Sequence, residues 1–191
     1  MRTNLRAFAL PLLLLLASQA KAVDLNRVLH GKYAVTYSRV CIQNPVGFTP
    51  SPQLVPLGSP GIELTSTVKM IQTYNGDGTS TATDGHMLNV LHNTNSVISV
   101  NELQFTCNGT YQVNHDGSFS EDLSCFGTTV AGVTLGQTFT QTGIHRTGYI
   151  GVLAQTLVIS DTGSNLENIT FSVSGSQARI CGRSGTAVKI Y

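Results

Sequence analysis

The sequence predicts an all-β fold, an antiparallel up-and-down β-barrel of about eight to nine strands. Two observations support this prediction. The chain beyond residue 22 is rich in Thr, Ser, Gly and β-branched residues, which favour strands over helices. Strand-like runs recur along it, and turn dipeptides or glycine-containing clusters separate many of them. Many strands at this spacing are typical of a sandwich or a barrel.

Residues 1–22 are predicted to be a signal peptide that is removed on export. Two arginines form a basic start, an apolar run extends from Leu10 to Ala17, and Ala20-Lys21-Ala22 is a typical cleavage site. The apolar run is too short for a membrane-spanning helix. We therefore expect a single mature barrel domain at residues 23–191 that is secreted or periplasmic.

The charge of the mature chain argues against a nucleic-acid partner. Removing residues 1–22 takes away three of the 11 basic residues and none of the 10 acidic ones, so the formal charge changes from +1 to −2. The chain also has no run of basic residues. We do not expect an integral membrane protein. An outer-membrane barrel ending at Tyr191 is the alternative, but Lys189 would then lie in the lipid-facing band, where lysine is costly.

The sequence predicts one short helical turn followed by nine strands. A short helical turn comes first, at Asp24–Leu29, because Asp24 can cap it. Nine strand-like runs follow, each bounded by turn signals or by a loop. They are Lys32–Ile42, Ile62–Tyr74, Thr79–Leu91, Val97–Val113, Ser118–Phe126, Thr134–Ile144, Tyr149–Ile159, Asn168–Val173 and Gln177–Ile190.

Two similar turns indicate that hairpins connect the strands. Tyr74–Thr79 resembles Val113–Ser118, and each contains an Asp-Gly dipeptide that supplies the positive φ angles of tight hairpins. A calcium loop is the alternative for the first turn. However, Ser80 and His86 stand where such a loop needs Gly and Glu. We therefore expect no bound metal, and we expect no cofactor.

The segment Asn44–Gly61 is predicted to be a long loop between the first two strands. It holds five of the six prolines, so it cannot join a ladder. It also carries the apolar residues Phe48 and Leu54, and loops of this length are often functional. The segment is either a lid over one end of the fold or a connection that only seals that end.

The stretch around Asp116 predicts the register of one hairpin. If the turn is centred on Asp116, Cys107 faces Cys125 and Tyr111 faces Glu121. Side chains alternate across a strand, so these residues share one face, which is mostly apolar. The opposite face of the hairpin is polar, as a half-buried hairpin requires.

The four cysteines are predicted to form two disulfides, because thiols of exported chains tend to pair. Four cysteines allow three connectivities. We favour Cys107–Cys125 from the hairpin register, which leaves Cys41 with Cys181. That second bridge would place the first strand beside the last, as closure of a barrel demands.

Glu121 is the strongest candidate for a functional side chain, because it lies on the apolar face, where an unpaired acid is costly. The same register, carried back one repeat, places Asp84 and His86 on the matching face of the earlier strand. Together with Tyr111, and with Phe48 from the loop, they would line a ligand pocket that binds a polar head group or transfers a proton. The alternative is that Glu121 lies near the turn and reaches water.

Arg179, Cys181 and Arg183 alternate on one face of the last predicted strand. They form either an anion site or, as we favour, a structural feature in which an arginine closes the barrel base over an aromatic residue such as Tyr33. Known catalytic signatures do not point elsewhere. The chain has no G-x-S-x-G elbow, no H-E-x-x-H motif and no Cys-His cluster with zinc spacing.

The segment Asn26–Tyr33 resembles the G-x-W opening of the lipocalins, with Tyr33 at the tryptophan position. In that family the tryptophan packs under an arginine near the end of the barrel, a role that the resemblance gives to Arg179 or Arg183. The hairpin order is also similar to that of the wider calycin-like barrels, including secreted proteins of the allene oxide cyclase type. The resemblance implies an apolar pocket inside the barrel.

These observations predict a soluble, exported β-barrel that binds a small, largely apolar ligand in its interior. Small residues on the inward faces would leave space for that ligand: Ser80, Ala82, Ser99 and Gly109. Two alternatives remain open. One is a cofactor-free isomerase or cyclase that uses the candidate pocket residues, and the other is a cell-surface structural module with a packed interior.

Overall fold

A computed structural model describes residues 24–50, 53–58, 60–93, 96–163 and 165–191, so the predicted signal peptide lies outside the described residues. This part of the chain contains nine β-strands and two short 3-10 helices, at Leu25–Val28 and Val152–Ala154. The strands are β1 (His30–Asn44), β2 (Ile62–Asn75), β3 (Thr79–Asn93), β4 (Ser96–Val113), β5 (Ser118–Gly132), β6 (Thr138–Ile150), β7 (Thr156–Asp161), β8 (Leu166–Phe171) and β9 (Gly175–Ile190).

All nine strands belong to one antiparallel sheet that closes on itself. Strands β1 to β6 pair in sequence order, and β9 pairs with β1. Strands β7 and β8 lie end to end between β6 and β9, and together they fill the place of one strand. The sheet is therefore an up-and-down ring with eight strand positions, which confirms the predicted all-β barrel.

The two ends of the barrel differ in their connections. We call one the turn end, because it carries the two Asp-Gly hairpins and the 3-10 helix that precedes β1. The other is the loop end, where the Asn44–Gly61 segment connects β1 to β2. Alternate residues of each strand point inward, and the apolar ones form the core. No helix in the described part of the chain is long and apolar enough to cross a membrane.

The hairpin prediction is confirmed. Cys107 pairs with Cys125 and Tyr111 with Glu121 across β4 and β5. Gly117 has a φ of 79°, and the Asp116 carboxylate accepts hydrogen bonds from the backbone and hydroxyl groups of Ser118. Asp-Gly turn chemistry thus sets the register.

The earlier hairpin repeats this turn. The Asp77 carboxylate accepts the same two hydrogen bonds from Thr79, at 2.9 and 2.6 Å. The predicted helical turn is also present, because the Asp24 side chain accepts a hydrogen bond from the backbone N–H of Asn26. The internal similarity of the sequence therefore reflects two hairpins with the same turn.

The structure contains both predicted disulfides, Cys41–Cys181 and Cys107–Cys125. The first joins β1 to β9, where the ring closes, and the second joins neighbouring strands of one hairpin. Two disulfides are typical of proteins from oxidising compartments.

One predicted strand, Tyr149–Ile159, is wrong as a single element. β6 ends at Ile150, the 3-10 helix Val152–Ala154 follows, and β7 begins at Thr156. Leu153 and Ala154 both have positive φ angles, which interrupt a strand. The apolar side chains of Val152 and Leu153 resemble a strand in sequence, but both are exposed in this turn.

Candidate functional site

A buried ion pair between Glu121 on β5 and Arg146 on β6 lies inside the barrel, toward the turn end. The two residues are direct cross-strand neighbours, and each is 1% exposed. The hydroxyl of Ser80 and the amide of Gln72 donate to one oxygen of Glu121, at 2.6 and 2.8 Å. The Tyr74 hydroxyl donates to the other oxygen at 3.2 Å. We call these five residues the paired cluster.

Both oxygens of the Glu121 carboxylate have partners within the paired cluster. Burial acts to lower the pKa of Arg146, but the charge and hydrogen bond of Glu121, together with Tyr74 and Tyr37, outweigh it and the pKa is raised. Burial and the same carboxylate raise the pKa of Tyr74 well above its ordinary value. The guanidinium also lies 5.6 Å from the ring centre of Tyr37. The alternative in which Glu121 reaches water is therefore wrong, because the ion pair keeps it in the core.

Tyr111 serves a different purpose from the one predicted. Its hydroxyl donates toward the backbone carbonyl groups of Leu29 and Asn26, at 2.8 and 3.0 Å, and accepts from the backbone N–H of Gly76 at 2.9 Å. Burial raises its pKa. Tyr111 thus fastens the 3-10 helix to the hairpin at the turn end, and its hydroxyl makes no hydrogen bond to Glu121.

Asp84 and His86 lie on the outer face, so their predicted inward placement is wrong. A β-bulge interrupts the pairing of β3 with β4 between Ala82 and Gly85, and Asp84 there has a φ of 51°. The extra residue reverses the alternation, so that Gly85 takes the inward position. The His86 side chain is half exposed and lies 3.8 Å from Glu102 of β4.

The interior of the barrel contains an apolar cavity. The centre of a water molecule can reach about 10 Å³ of it, which is enough for about one water. None of the five predicted pocket residues lines it. We call it the apolar cavity, and its lining includes Tyr37, Arg39, Val68, Met70, Met87, Phe105, Leu123, Phe139, Gln141, Ile144 and the Cys107–Cys125 disulfide.

Space for a ligand was expected around Ser80, Ala82, Ser99 and Gly109, but it is filled at Ser80 and at Gly109. Ser80 is buried because its hydroxyl donates to Glu121. A Cβ on Gly109 would collide with Leu123 and the backbone of Asp122, so this glycine allows close packing of β4 and β5. These small residues therefore admit the side chains of neighbouring strands, Glu121 at Ser80 and Leu123 at Gly109.

A second set of buried charges lies toward the loop end: Arg39, Asp161, Glu167, Arg179 and Arg183, here called the arginine-rich cluster. Glu167 contacts Arg183 and lies 3.8 Å from Arg39. Asp161 accepts a hydrogen bond from Arg183 at 2.6 Å. Burial lowers the pKa of Arg39 and of Arg183. Arg39 and Arg183 thus share two carboxylates, and Arg179 forms an ion pair with neither of them.

Neighbouring polar side chains hold parts of this cluster in place. Gln141 donates to Glu167 at 2.8 Å, and Arg39 donates to the Ser66 hydroxyl at 3.1 Å. Ser66 in turn donates to Asn89 at 2.7 Å. The remaining arginine, Arg179, is 2% exposed, and its Nε and Nη1 atoms have no hydrogen-bond partner among the described residues.

Charge is distributed unequally between the interior and the surface. Four of the five arginines beyond residue 22 are buried, and only Arg27 is exposed. The interior holds three acids against these four arginines, while the other seven acids are exposed. The outer surface is therefore acidic, and the interior has one positive charge in excess.

The predicted packing of an arginine over Tyr33 is wrong. Arg179 belongs to the loop end, whereas Tyr33 lies at the turn end, where its hydroxyl donates to the carbonyl of Ala154 at 2.7 Å. Lys189 of β9 takes the expected place, with its ammonium 6.0 Å from the centre of the Tyr33 ring. A cation does cover this aromatic ring, but it comes from ten residues further along the chain than Arg179.

The Asn44–Gly61 segment folds back on itself at the loop end. The Asn44 side chain accepts hydrogen bonds from the backbone of Val46 and Gly47, and Phe48 pairs with Pro56. Phe48 is buried, although it does not line the apolar cavity. Residues 51, 52 and 59 of the predicted lid lie outside the described residues.

Sequence reasoning missed four of the charged residues inside the barrel. Each follows the same signal that identified Glu121, namely a charged residue in register with inward apolar ones. Arg39 alternates with Tyr37 and Cys41, and Glu167 alternates with Ile169. The two others are Asp161 and Arg146.

No group of three or more His, Cys, Asp or Glu side chains in the described ranges could hold a metal ion. Comparison of the chain with protein-family models, with curated proteins and with solved structures finds no match. The geometry of the interior is therefore the feature of this protein that indicates a function.

Proposed function

We propose that this protein is an exported, calycin-like β-barrel that binds a small, largely apolar ligand in its interior. The observation that carries the proposal is the apolar cavity, which lies inside a closed barrel and includes both Met70 and Met87 in its lining. Methionine side chains are flexible and adapt to the shape of a ligand. Movement of these two side chains would enlarge a space that otherwise holds about one water molecule.

Methionine methyl groups provide a direct test. Beyond residue 22 the chain has only two methionines, Met70 and Met87, and both line the apolar cavity. The mature protein with ¹³C-labelled methionine methyl groups should give two NMR signals, assigned with Met70→Leu and Met87→Leu. We expect benzene, a small apolar probe, to shift both signals saturably. Absence of a saturable shift would contradict the proposal.

The loop is the proposed entrance. Replacing Phe48 and Leu54 with Ser should change the rate at which benzene exchanges with the cavity, while the rest of the NMR spectrum stays native. The matched control is Leu135→Ser, an exposed apolar residue of the β5–β6 connection at the same end. If both variants exchange benzene at the wild-type rate, the loop is only a connection.

Export is part of the proposal, and N-terminal sequencing tests it. We expect the mature protein, recovered from the periplasm or the medium, to begin at Val23. A chain retained in the cytoplasm with its first 22 residues would contradict export. It would also leave the two disulfides without an oxidising compartment.

A second candidate is a structural module at the cell surface. The small size of the apolar cavity favours it, since pockets that bind drug-sized ligands usually measure about 300–1,000 Å³. The benzene titration separates the two candidates. A rigid, packed interior would leave both methionine signals unchanged at every benzene concentration.

A further inference from the structure

Arg179 is a buried cation without an ion pair among the described residues. It lies on β9 and is 2% exposed. Arg146 and Arg183 also have nitrogen atoms without hydrogen bonds, but each of them forms an ion pair. Glu167 is the cross-strand neighbour of Arg179, yet its carboxylate pairs with Arg39 and Arg183 instead. A buried charge without a partner is strongly unfavourable. The residue therefore needs an explanation outside the core packing.

Rearrangement within the chain would not supply the missing anion. All ten acidic residues belong to the described part of the chain, and seven of them are exposed on the outer surface. Of the three buried acids, Glu121 pairs with Arg146, Asp161 pairs with Arg183, and Glu167 is shared by Arg39 and Arg183. If Glu167 turned toward Arg179, it would leave another guanidinium uncompensated.

Arg39 links Arg179 to the apolar cavity, which Arg179 itself does not line. The backbone of Arg179 pairs with Gln43 of β1, whose buried Oε1 atom also has no hydrogen-bond partner among the described residues. Arg39 is close enough to disfavour the charge of Arg179 by repulsion, and Arg39 lines the apolar cavity. A polar site with excess positive charge therefore adjoins an apolar compartment inside the same barrel.

We propose that Arg179 binds the carboxylate of a ligand whose apolar part occupies the apolar cavity. This inference rests on the proposed function and names the chemical class of the ligand, a small organic acid with a single negative charge. One such charge balances the interior, in which four arginines face three acids. The planar guanidinium can donate two parallel hydrogen bonds to a carboxylate, which makes arginine well suited to this class.

The test compares each acid with its neutral amide at pH 7. Benzoate is paired with benzamide and butyrate with butyramide, and binding is followed through the two methionine methyl signals and the Nε–Hε signal of Arg179. We expect each acid to bind at least about tenfold more tightly than its amide. Arg179→Met should remove this preference and leave amide binding unchanged, whereas Arg179→Lys should retain part of it.

Arg27→Met is the matched control, because it removes an arginine from the exposed 3-10 helix at the opposite end. It should leave the preference for acids intact. Equal affinities for acid and amide, or a preference that survives in Arg179→Met, would overturn the inference while the proposed function stands. Inorganic phosphate is a further arm, and a shift of the Arg179 signal as large as that with benzoate would overturn the carboxylate assignment. If benzene and the amides also fail to bind, the proposed function itself falls.

Discussion

The paired cluster and the arginine-rich cluster are two buried polar regions of one barrel, and they follow different rules. In the first, one acid faces one arginine, and Gln72, Ser80 and Tyr74 donate to the acid. In the second, three arginines face two acids, and Arg179 has no acidic partner.

The difference distinguishes a buried ion pair that supports the fold from a buried charge that is a candidate binding site. A balanced and hydrogen-bonded ion pair recovers much of the cost of desolvation, and it orients the strands that carry it. An unbalanced cluster recovers less, so the folded protein retains an unfavourable charge. An uncompensated buried charge is typical of a binding site, where a ligand of opposite charge neutralises it. The excess arginine of the arginine-rich cluster fits this pattern.

The two disulfides should stabilise the protein unequally. Cys41–Cys181 adjoins the arginine-rich cluster and spans 140 residues, whereas Cys107–Cys125 spans 18. In the loop-entropy model, opening the first lowers the free energy of unfolding by about 5 kcal/mol and opening the second by about 3 kcal/mol. Urea unfolding of the two Cys→Ser double variants measures both. A larger loss for the Cys107–Cys125 variant would contradict the model.

The same substitution at two arginines should have opposite effects, and Arg146→Met gives the larger one. It leaves Glu121 buried and unpaired, so the free energy of unfolding should fall by about 3–5 kcal/mol. The double variant Glu121→Gln/Arg146→Met should recover most of this loss. Urea unfolding with a constant m-value provides the measurement. The exposed pair of His86 and Glu102 gives the control, because Glu102→Gln should change the free energy of unfolding by less than about 1 kcal/mol.

Arg179→Met should instead raise the free energy of unfolding of the ligand-free protein. Burial, reinforced by repulsion from Arg39, holds the pKa of Arg179 well below its ordinary value, so removing the charge relieves an unfavourable interaction. We expect an increase of about 1–4 kcal/mol in the same urea assay. A loss as large as that of Arg146→Met would mean that Arg179 is a structural residue, and the contrast between the clusters would disappear.

The smallest effect concerns exposed charge at the turn end. Hydrogen bonds from the hydroxyl and backbone of Thr79 lower the pKa of Asp77, and Ser118 does the same for Asp116. Because the folded-state pKa lies below the unfolded value, the stabilisation is present above about pH 4 and is lost as the pH falls through the folded pKa. The difference in unfolding free energy between wild type and Asp77→Asn/Asp116→Asn should therefore shrink below pH 4. A difference that grows in acid would contradict these shifts.

Local rules of the sequence determined the strand class, the hairpin register and, through that register, the Cys107–Cys125 disulfide, which left Cys41 to pair with Cys181. Asp-Gly turns fix which residues face each other, and the period of two along a strand then assigns every side chain to a face. The registers of Cys107 with Cys125 and of Tyr111 with Glu121 follow from these two facts alone. The Asp24 cap of the first helical turn is equally local.

Only the tertiary structure decided what those inward residues contact. The bulge at Asp84 inverts the alternation of inward and outward side chains along the rest of β3, so that His86 points out of the barrel. The repeat in the sequence gives no sign of this change. Arg146 reaches Glu121 because the register of β5 with β6 sets the two residues opposite each other. Gln72 and Ser80 reach the same carboxylate from β2 and β3, across the interior of the ring. A buried charge is visible in the sequence as a break in an apolar face. Its partner is not, because pairing depends on positions across the barrel that no local pattern encodes.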